Sequence, residues 1–253
     1  MESIKNRTEK SENYKLYMLE GIACLLVITI HIGYQGNVGI IINVLARFAV
    51  PLFFVVSGFY LVNIDENTIP RLNCKLFKIL KLCLGATILY WCWGTILHCF
   101  ILREVSFLTW MKSLFSVKNI FGWIFMNSVP GAGHLWFLFA LLYSYLVLKI
   151  LYKVGKCKWI QLFPGILFIT VLLPYCSILY SRLAGCEMNL PISLFRNWLF
   201  MGLPFVSIGI YIKKYFGKIY KINSKIFITF SLIGLSMSYV ERLVVHKNME
   251  LYF

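Results

Sequence analysis

The sequence predicts an all-α fold, a polytopic transmembrane helical bundle of about seven spans with a cytoplasmic N-terminus. Three observations predict it. Of the 253 residues, 60% are apolar or aromatic, and the mean hydropathy is +0.76, whereas soluble domains are about 45–50% apolar. Apolar runs of membrane-crossing length recur, and basic residues alternate between successive loops. With no repeat or low-complexity tract, residues 1–253 are predicted to form one membrane domain.

A helix crosses the hydrocarbon core of a bilayer with about 20 mostly apolar residues. Runs of this kind predict spans at residues 16–35, 40–62, 79–102, 134–151, 159–180, 197–213 and 225–241. The stretch 105–129 mixes Trp110, Lys112, Lys118 and Trp123 with apolar residues. That mixture indicates an amphipathic or re-entrant piece at the membrane interface.

The formal net charge of +15 follows the membrane topology and does not indicate a nucleic-acid partner. Seventeen Lys and Arg residues fall on one side of the predicted spans and seven on the other, which is the positive-inside pattern. The richer side has Lys5, Arg7, Lys10, Lys15, Arg71, Lys75, Lys78, Lys81, Lys149, Lys153, Lys156, Lys158, Lys213, Lys214, Lys218, Lys221 and Lys225. We therefore expect the N-terminus and these residues to be cytoplasmic.

The eight cysteines show no metal-ligand spacing, and most fall within predicted spans. They are interpreted as small buried hydrophobic residues, and no metal site is predicted.

Two ionisable residues, Glu20 and His31, lie in the first predicted span. Eleven residues separate them, which is close to three helical turns, so both side chains point to a similar side about 16 Å apart. Ionisable groups inside a membrane usually face a protein or water cavity and mark a functional path. His31 is therefore the first candidate functional residue.

The second predicted span contains Asn43 and Arg47, four residues apart, followed by Pro51. Because proline has no N–H, Pro51 leaves the carbonyl of Arg47 without its helical donor and favours a kink. Arg47 is expected to meet a partner or a cavity, or else to reach the outer interface. Ser57 and Gly58 predict close helix packing.

Four blocks of sequence stand in a characteristic order: Leu16–His31, Arg47–Tyr60 (RFAVPLFFVVSGFY), Gly133–Tyr145 (GHLWFLFALLYSY) and Arg196–Gly209 (RNWLFMGLPFVSIG). Together they resemble the acyltransferase 3 family of integral membrane O-acyltransferases. The resemblance covers the whole chain but not the whole family domain, since relatives usually continue for several more helices. The chain is therefore expected to be short at its C-terminus.

The resemblance implies acyl transfer from a cytoplasmic donor, typically acetyl-CoA as co-substrate, to a hydroxyl of an extracytoplasmic glycan or cell-wall component. It implies a multi-pass protein of a bacterial inner or plasma membrane. His31 matches the family's essential histidine and would act as general base. Arg47, His134 or Trp136 would supply hydrogen-bond donors to the developing oxyanion. Arg196 would meet an anionic glycan or anchor the helix at the interface.

The family also has a basic pair spaced by two residues after its second helix. Lys78 and Lys81, or alternatively Lys75 and Lys78, fit that position and would hold the phosphates of CoA as point charges. His98, near the outer end of the third span, is interpreted as a headgroup-level residue.

The sequence departs from the family at Glu20, where relatives have Arg or Lys, and at Tyr17, where an acidic residue is common. Glu20 is kept as a candidate substrate-binding residue, since either a neighbouring Lys compensates for it or the chemistry has changed. Two alternative functions stay open. One is a membrane module that binds or transports a small polar solute such as serine, and the other is an inactive truncated paralogue.

Overall fold

A computed structural model describes residues 2–32, 34, 36–61, 68–170, 172 and 196–249. This part of the chain is helical and contains no strand, which confirms the predicted all-α class. The α-helices are α1 (Glu2–Ile32), α2 (Gly36–Ala46), α3 (Ala49–Phe59), α4 (Thr68–Thr95), α5 (Phe107–Leu114), α6 (Val117–Met126), α7 (Trp136–Lys153), α8 (Leu203–Lys214), α9 (Phe216–Ile219) and α10 (Ser224–Met249). Two π-helical turns, Ile96–Ile101 and Trp198–Gly202, and two 3₁₀ segments, Gly133–Leu135 and Cys157–Gly165, complete the described elements.

Four stretches of the described chain are long and apolar enough to cross a membrane. They are Tyr14–Ile32, Gly36–Phe59, Thr68–Ile101 and Gly133–Lys153, and they overlap the first four predicted spans. Shorter apolar helices follow at Cys157–Thr170 and Ser224–Val240. Most of the second half of the predicted span 159–180 lies outside the described residues, so the number of seven spans stays a prediction.

The second span is broken where the sequence predicts a kink. Helix α2 ends at Ala46, Arg47 and Phe48 form a turn, and α3 begins at Ala49. The carbonyl of Arg47 is the one that Pro51 leaves without a donor, whereas the amide of Leu52 still reaches the carbonyl of Phe48 at 2.9 Å. The missing donor accounts for the break.

One boundary prediction is wrong. The basic residues from Arg71 to Lys81 were expected in a loop before a span at 79–102, but they belong to α4, which begins at Thr68. The physical reason is the buried row Leu72, Leu76 and Cys83, which continues the packed face of the helix toward its N-terminus. A helix of 28 residues is about 42 Å long, so it exceeds a hydrocarbon core of about 30 Å.

The chain forms two compact units. In the first, residues 1–56 and 211–253, α2 packs against α1 and α10. In the second, residues 57–210, α7 is central and packs against α4, the π-helical turn Trp198–Gly202 and the 3₁₀ segment Cys157–Gly165. Seven of the 18 residues of α7 are buried, so this helix provides much of the core of the second unit.

The predicted close packing at Ser57 and Gly58 is confirmed within the second unit. A Cβ atom at Gly58 would collide with the carbonyl oxygen of Val206, so only glycine allows this approach to α8. Tyr145, 2% exposed, donates its hydroxyl to the carbonyl of Ser57 at 3.2 Å. Carbonyls in the last turn of a helix lack helical donors, and this bond supplies one.

The stretch 105–129 contains two short helices, α5 and α6, and its placement at the membrane interface stays a prediction. Each begins at a serine cap: Ser106 Oγ accepts from the amide of Thr109, and Ser116 Oγ accepts from the amide of Asn119, both at 3.3 Å. Helix α6 ends at Asn127, which takes a left-handed conformation with φ of 53°. The two helices are thus defined by local capping.

Candidate active site

His31 and Glu20 both lie on α1, about 16 Å apart by helical rise. His31 is exposed one residue before the helix ends, and Glu20 is half-buried. Within the described side chains of the first unit, no cation forms an ion pair with Glu20. The compensating lysine considered from the sequence is therefore not found there.

Arg47 lies in the same unit, at the turn that separates α2 from α3. Its amide donates to the carbonyl of Val44 at 3.3 Å, and the residue is exposed. Arg47 therefore sits where two helix ends meet at an interrupted span, a position where polar backbone groups can line a cavity.

Lys75, Lys78 and Lys81 follow one another at intervals of three residues along α4, in the second unit. Residues three apart are neighbours on a helix surface. Lys75 is half-buried and the other two are exposed. Lys81 Nζ lies 4.5 Å from the centroid of the Phe77 ring. The structure therefore brings all three candidate donor-binding lysines to one helix.

His134 lies in the 3₁₀ segment Gly133–Leu135 that directly precedes α7, and Trp136 is the first residue of α7, close to the predicted start of the fourth span. The exposed imidazole of His134 meets the ring of Tyr90 edge to face, with 4.2 Å between the centroids. Trp136 is half-buried, and its ring centroid is 6.5 Å from that of Phe137. The contact with Tyr90 holds His134 against α4.

Arg196 is exposed and directly precedes the π-helical turn Trp198–Gly202. Its neighbour Asn197 is 4% exposed, and Asn197 Oδ1 accepts from the amides of Leu199 and Phe200, both at 2.9 Å. Asn197 therefore caps this turn and fixes the backbone that presents Arg196.

A cluster of aromatic side chains joins the α5–α6 region to α4 and α7. The Trp91 ring lies 5.1 Å from Phe115 and 5.7 Å from Trp123, and Trp123 lies 5.6 Å from Phe139. Trp91 Nε1 also donates to the carbonyl of Pro130 at 2.7 Å. The ring contacts, each of edge-to-face geometry, fix the α5–α6 region against α4 and α7 within the second unit.

Sequence reasoning missed one contact in this region. His98 Nδ1 lies 2.9 Å from Glu104 Oε2, whereas the sequence predicts a headgroup-level position for His98 and no role for Glu104. A signal was present, since Glu104 is the one acidic residue between Glu66 and Glu187 and follows His98 by six residues. The described part of the chain has no group of three or more His, Cys, Asp and Glu residues that could hold a metal ion.

A comparison with protein-family models matches residues 13–248 to the acyltransferase 3 family, described as an acyltransferase domain. The chain belongs to the acyltransferase 3 family. The match covers most of the chain and includes all nine candidate residues. No curated protein and no solved structure matches the chain.

Membership of the acyltransferase 3 family, together with the apolar helices, makes the chain a membrane protein of acyltransferase type. Within it, Glu20, His31 and Arg47 belong to the first unit. The three lysines, His134, Trp136 and Arg196 belong to the second. Three of the nine candidates therefore belong to the first unit and six to the second.

Proposed function

We propose that this protein is an acetyl-CoA-dependent O-acetyltransferase that modifies a hydroxyl of an extracytoplasmic glycan or cell-wall component. We place it in a bacterial plasma membrane. The observation that carries the proposal is the family match over residues 13–248, combined with His31 near the end of a membrane-length helix. An imidazole at that position is suited to proton transfer at the membrane boundary.

The proposed reaction begins with a hydroxyl of the acceptor donating a hydrogen bond to the neutral imidazole of His31. As the imidazole takes the proton, the oxygen attacks the thioester carbonyl of acetyl-CoA and forms a tetrahedral oxyanion. Collapse of this intermediate breaks the C–S bond, and the CoA sulfur takes the proton back from His31. The products are an acetyl ester and CoA, and His31 returns to its neutral state.

The guanidinium of Arg47 is proposed to stabilise the tetrahedral oxyanion. Arginine stays charged and presents several N–H donors in a fixed plane. A donor aimed at developing negative charge contributes roughly 3–4 kcal/mol in enzymes that use one. Its position in the turn between α2 and α3 supports this role, because the turn breaks the apolar surface of the span.

Lys75, Lys78 and Lys81 are proposed to bind the phosphates of the acyl donor. Their side chains are neighbours along α4, and ammonium groups bind phosphates as point charges. His134, Trp136 and Arg196 are proposed to contact the acceptor. The charge pattern of the loops predicts that the lysines lie on the cytoplasmic side and these three residues outside, which supports both roles.

The experiment is mass spectrometry of envelope glycans from cells that express the wild type, His31→Ala or Thr29→Ala. Thr29 is the matched control, since it lies on the same turn of α1 and, among the described residues, its hydroxyl bonds only the carbonyl of Leu26 on the same helix, at 2.7 Å. We expect alkali-labile acetyl esters with the wild type and Thr29→Ala, and their loss with His31→Ala. Equal ester content with His31→Ala, or none with the wild type, would refute the proposal.

Glu20 favours a second candidate function, a module that binds or transports a small polar solute such as serine. An acid on a membrane helix commonly marks a solute or proton path, and Glu20 is half-buried on α1. Uptake of labelled serine by proteoliposomes, abolished by Glu20→Gln, would favour this function. Uptake equal to that of empty liposomes excludes serine transport.

A further inference from the structure

The end of α4 is built differently from an ordinary helix terminus. The helix widens into the π-helical turn Ile96–Ile101, in which the amide of Leu102 donates to the carbonyl of Leu97 at 2.8 Å. Arg103 then takes a left-handed conformation, with φ of 53°. Such a conformation is uncommon for a residue with a side chain, and it tends to persist where the surrounding structure requires it.

The consequence of this turn is that Glu104 folds back onto His98. The amide of Glu104 donates to the carbonyl of His98 at 3.0 Å. The carboxylate Oε2 lies 2.9 Å from Nδ1 of the same imidazole. Backbone and side chain therefore hold the pair together at two points.

Trp110, from α5, fixes the orientation of the imidazole. The two rings lie 4.6 Å apart between centroids and are inclined by 30°. Trp110 is itself held, because its Nε1 donates to Thr95 Oγ1 at 3.1 Å. The His98 side chain can therefore rotate little.

The pair leaves two hydrogen-bond acceptors open. A carboxylate at Nδ1 favours the tautomer that carries its proton on Nδ1, which leaves the lone pair of Nε2 available. Neither Nε2 of His98 nor Oε1 of Glu104 bonds to another described residue. The side chains are 33% and 57% exposed, so both acceptors are open to solvent.

We propose that His98 and Glu104 form a binding site for the vicinal hydroxyls of a neutral saccharide. Two neighbouring hydroxyls offer two O–H donors, and the pair offers two acceptors on a rigid frame. The Glu104 carboxylate disfavours anions such as phosphate. Among the described residues, no third His, Cys, Asp or Glu side chain joins the pair to form a metal site. The site deepens the proposed function, on which it rests, by naming the class of acceptor.

The experiment measures carbethoxylation of His98 by diethyl pyrocarbonate, which attacks an open imidazole nitrogen. The full chain is purified in nanodiscs, and the modified peptide is quantified by mass spectrometry. N-acetylglucosamine, glucose and rhamnose are each added at about 100 mM, a concentration that detects millimolar affinity. We expect at least one sugar to slow the modification severalfold and an equal concentration of sulfate to leave it unchanged.

Variants distinguish binding from general shielding of the histidine. Glu104→Ala removes one of the two acceptors, so sugar protection should be lost while His98 stays reactive. Lys112→Gln, on the exposed side of neighbouring α5, should keep the protection. The proposal is overturned if none of the three sugars protects the wild type, if sulfate protects equally, or if Glu104→Ala is protected as well as the wild type.

A second measurement connects the site with acyl transfer. His98→Asn keeps an N–H near the position of Nδ1, so it retains the bond to Glu104 and removes only Nε2. We expect fewer glycan acetyl esters in cells at an unchanged protein level. Unchanged ester content would show that the acceptor does not need the site.

The two proposals fail separately, because sugar protection requires no acyl donor. Protection without ester formation by the wild type refutes the acetyltransferase and keeps the saccharide site. Ester formation by the wild type without sugar protection of His98 refutes the saccharide site and keeps the acetyltransferase.

Discussion

At the scale of single residues, the proposed chemistry depends on the charges carried by α1 and by the turn after α2. The resemblance to the acyltransferase 3 family predicts that His31 takes the place of the family's histidine, and that Glu20, eleven residues earlier, carries the opposite charge to the basic residue expected there. An acid near the acyl donor would repel its phosphates. The two residues therefore have opposite expected effects on acyl transfer.

Replacing Glu20 by arginine restores the family's charge, and we expect Glu20→Arg to increase acetyl transfer. The physical reason is attraction of the CoA phosphates in place of repulsion. Glu20→Gln serves as the control, since it removes the negative charge and adds no positive one, and it should give an intermediate rate. The check is the rate of labelled acetyl incorporation into envelope glycans at matched protein level. Unchanged or lower transfer by Glu20→Arg would mean that Glu20 has a native partner.

Residue roles could be predicted from the sequence only where a motif or a local spacing carries them. The placement of His134 just before α7 follows from the motif Gly-His-Leu-Trp. The contact between His98 and Glu104 depends on a π-helical turn and on a left-handed Arg103, neither of which leaves a periodic signal. Such backbone departures are therefore found only in the structure.

At the scale of elements, helix packing within the second unit depends on small residues. Gly58 and Gly202 each sit where an added Cβ would meet a neighbouring element: Val206 for the first, Ser144 and Ala140 for the second. Helix association in membranes relies on such close contact because apolar burial between helices gains little against lipid.

Gly58→Ala is expected to destabilise the protein, because the new methyl group must displace backbone atoms of α8. Overpacking of this kind costs roughly 1–3 kcal/mol. Gly85→Ala is the matched control, since Gly85 is exposed on α4 and has nothing within 4 Å of the added atom. Thermal unfolding in detergent should show a lower Tm for Gly58→Ala alone. Equal Tm values for both variants would mean that this contact is not tight.

A second prediction at this scale concerns the lysine row of α4. Replacing Lys75, Lys78 and Lys81 together by Gln removes three positive charges from one helix face, so the KM for acetyl-CoA should rise with a smaller change in kcat. Replacing Lys213, Lys214 and Lys218 by Gln makes an equal charge change elsewhere and should leave KM unchanged. An equal rise of KM in both triple variants would indicate a general charge effect instead of a donor site.

The boundaries of elements were harder to predict than their existence. The sequence predicts the break near Pro51, because one missing N–H has a local effect. It does not predict that α4 starts at Thr68, since Lys and Arg were interpreted as loop residues. The packing of buried Leu72 and Leu76 extends the helix to Thr68, and the basic side chains project from that same helix.

At the scale of the whole molecule, the distribution of Lys and Arg predicts which ends of the helices meet the cytoplasm. The positive-inside pattern predicts that residue 218 lies inside and residue 118 outside. Both are exposed lysines, which makes them suitable for labelling.

Cysteine labelling in intact cells tests this orientation. A membrane-impermeant maleimide should label Lys118→Cys in a chain whose eight native cysteines are replaced, and Lys218→Cys should react only after the membrane is opened. The expected result follows from the loop charges alone. Labelling of Lys218→Cys in intact cells, with protection of Lys118→Cys, would reverse the orientation and place the lysines of α4 away from cytoplasmic acetyl-CoA.

Transfer of isotope-labelled acetyl groups tests the central claim most directly. Membrane vesicles that carry the protein and its native envelope glycans are supplied with acetyl-CoA labelled with ¹³C in the acetyl group, and the ester-linked acetyl groups of the glycans are analysed by mass spectrometry. We predict labelled esters with the wild type and Thr29→Ala, and their loss with His31→Ala. Labelled esters at the wild-type level in vesicles with His31→Ala, or none with the wild type, would contradict acyl transfer through His31.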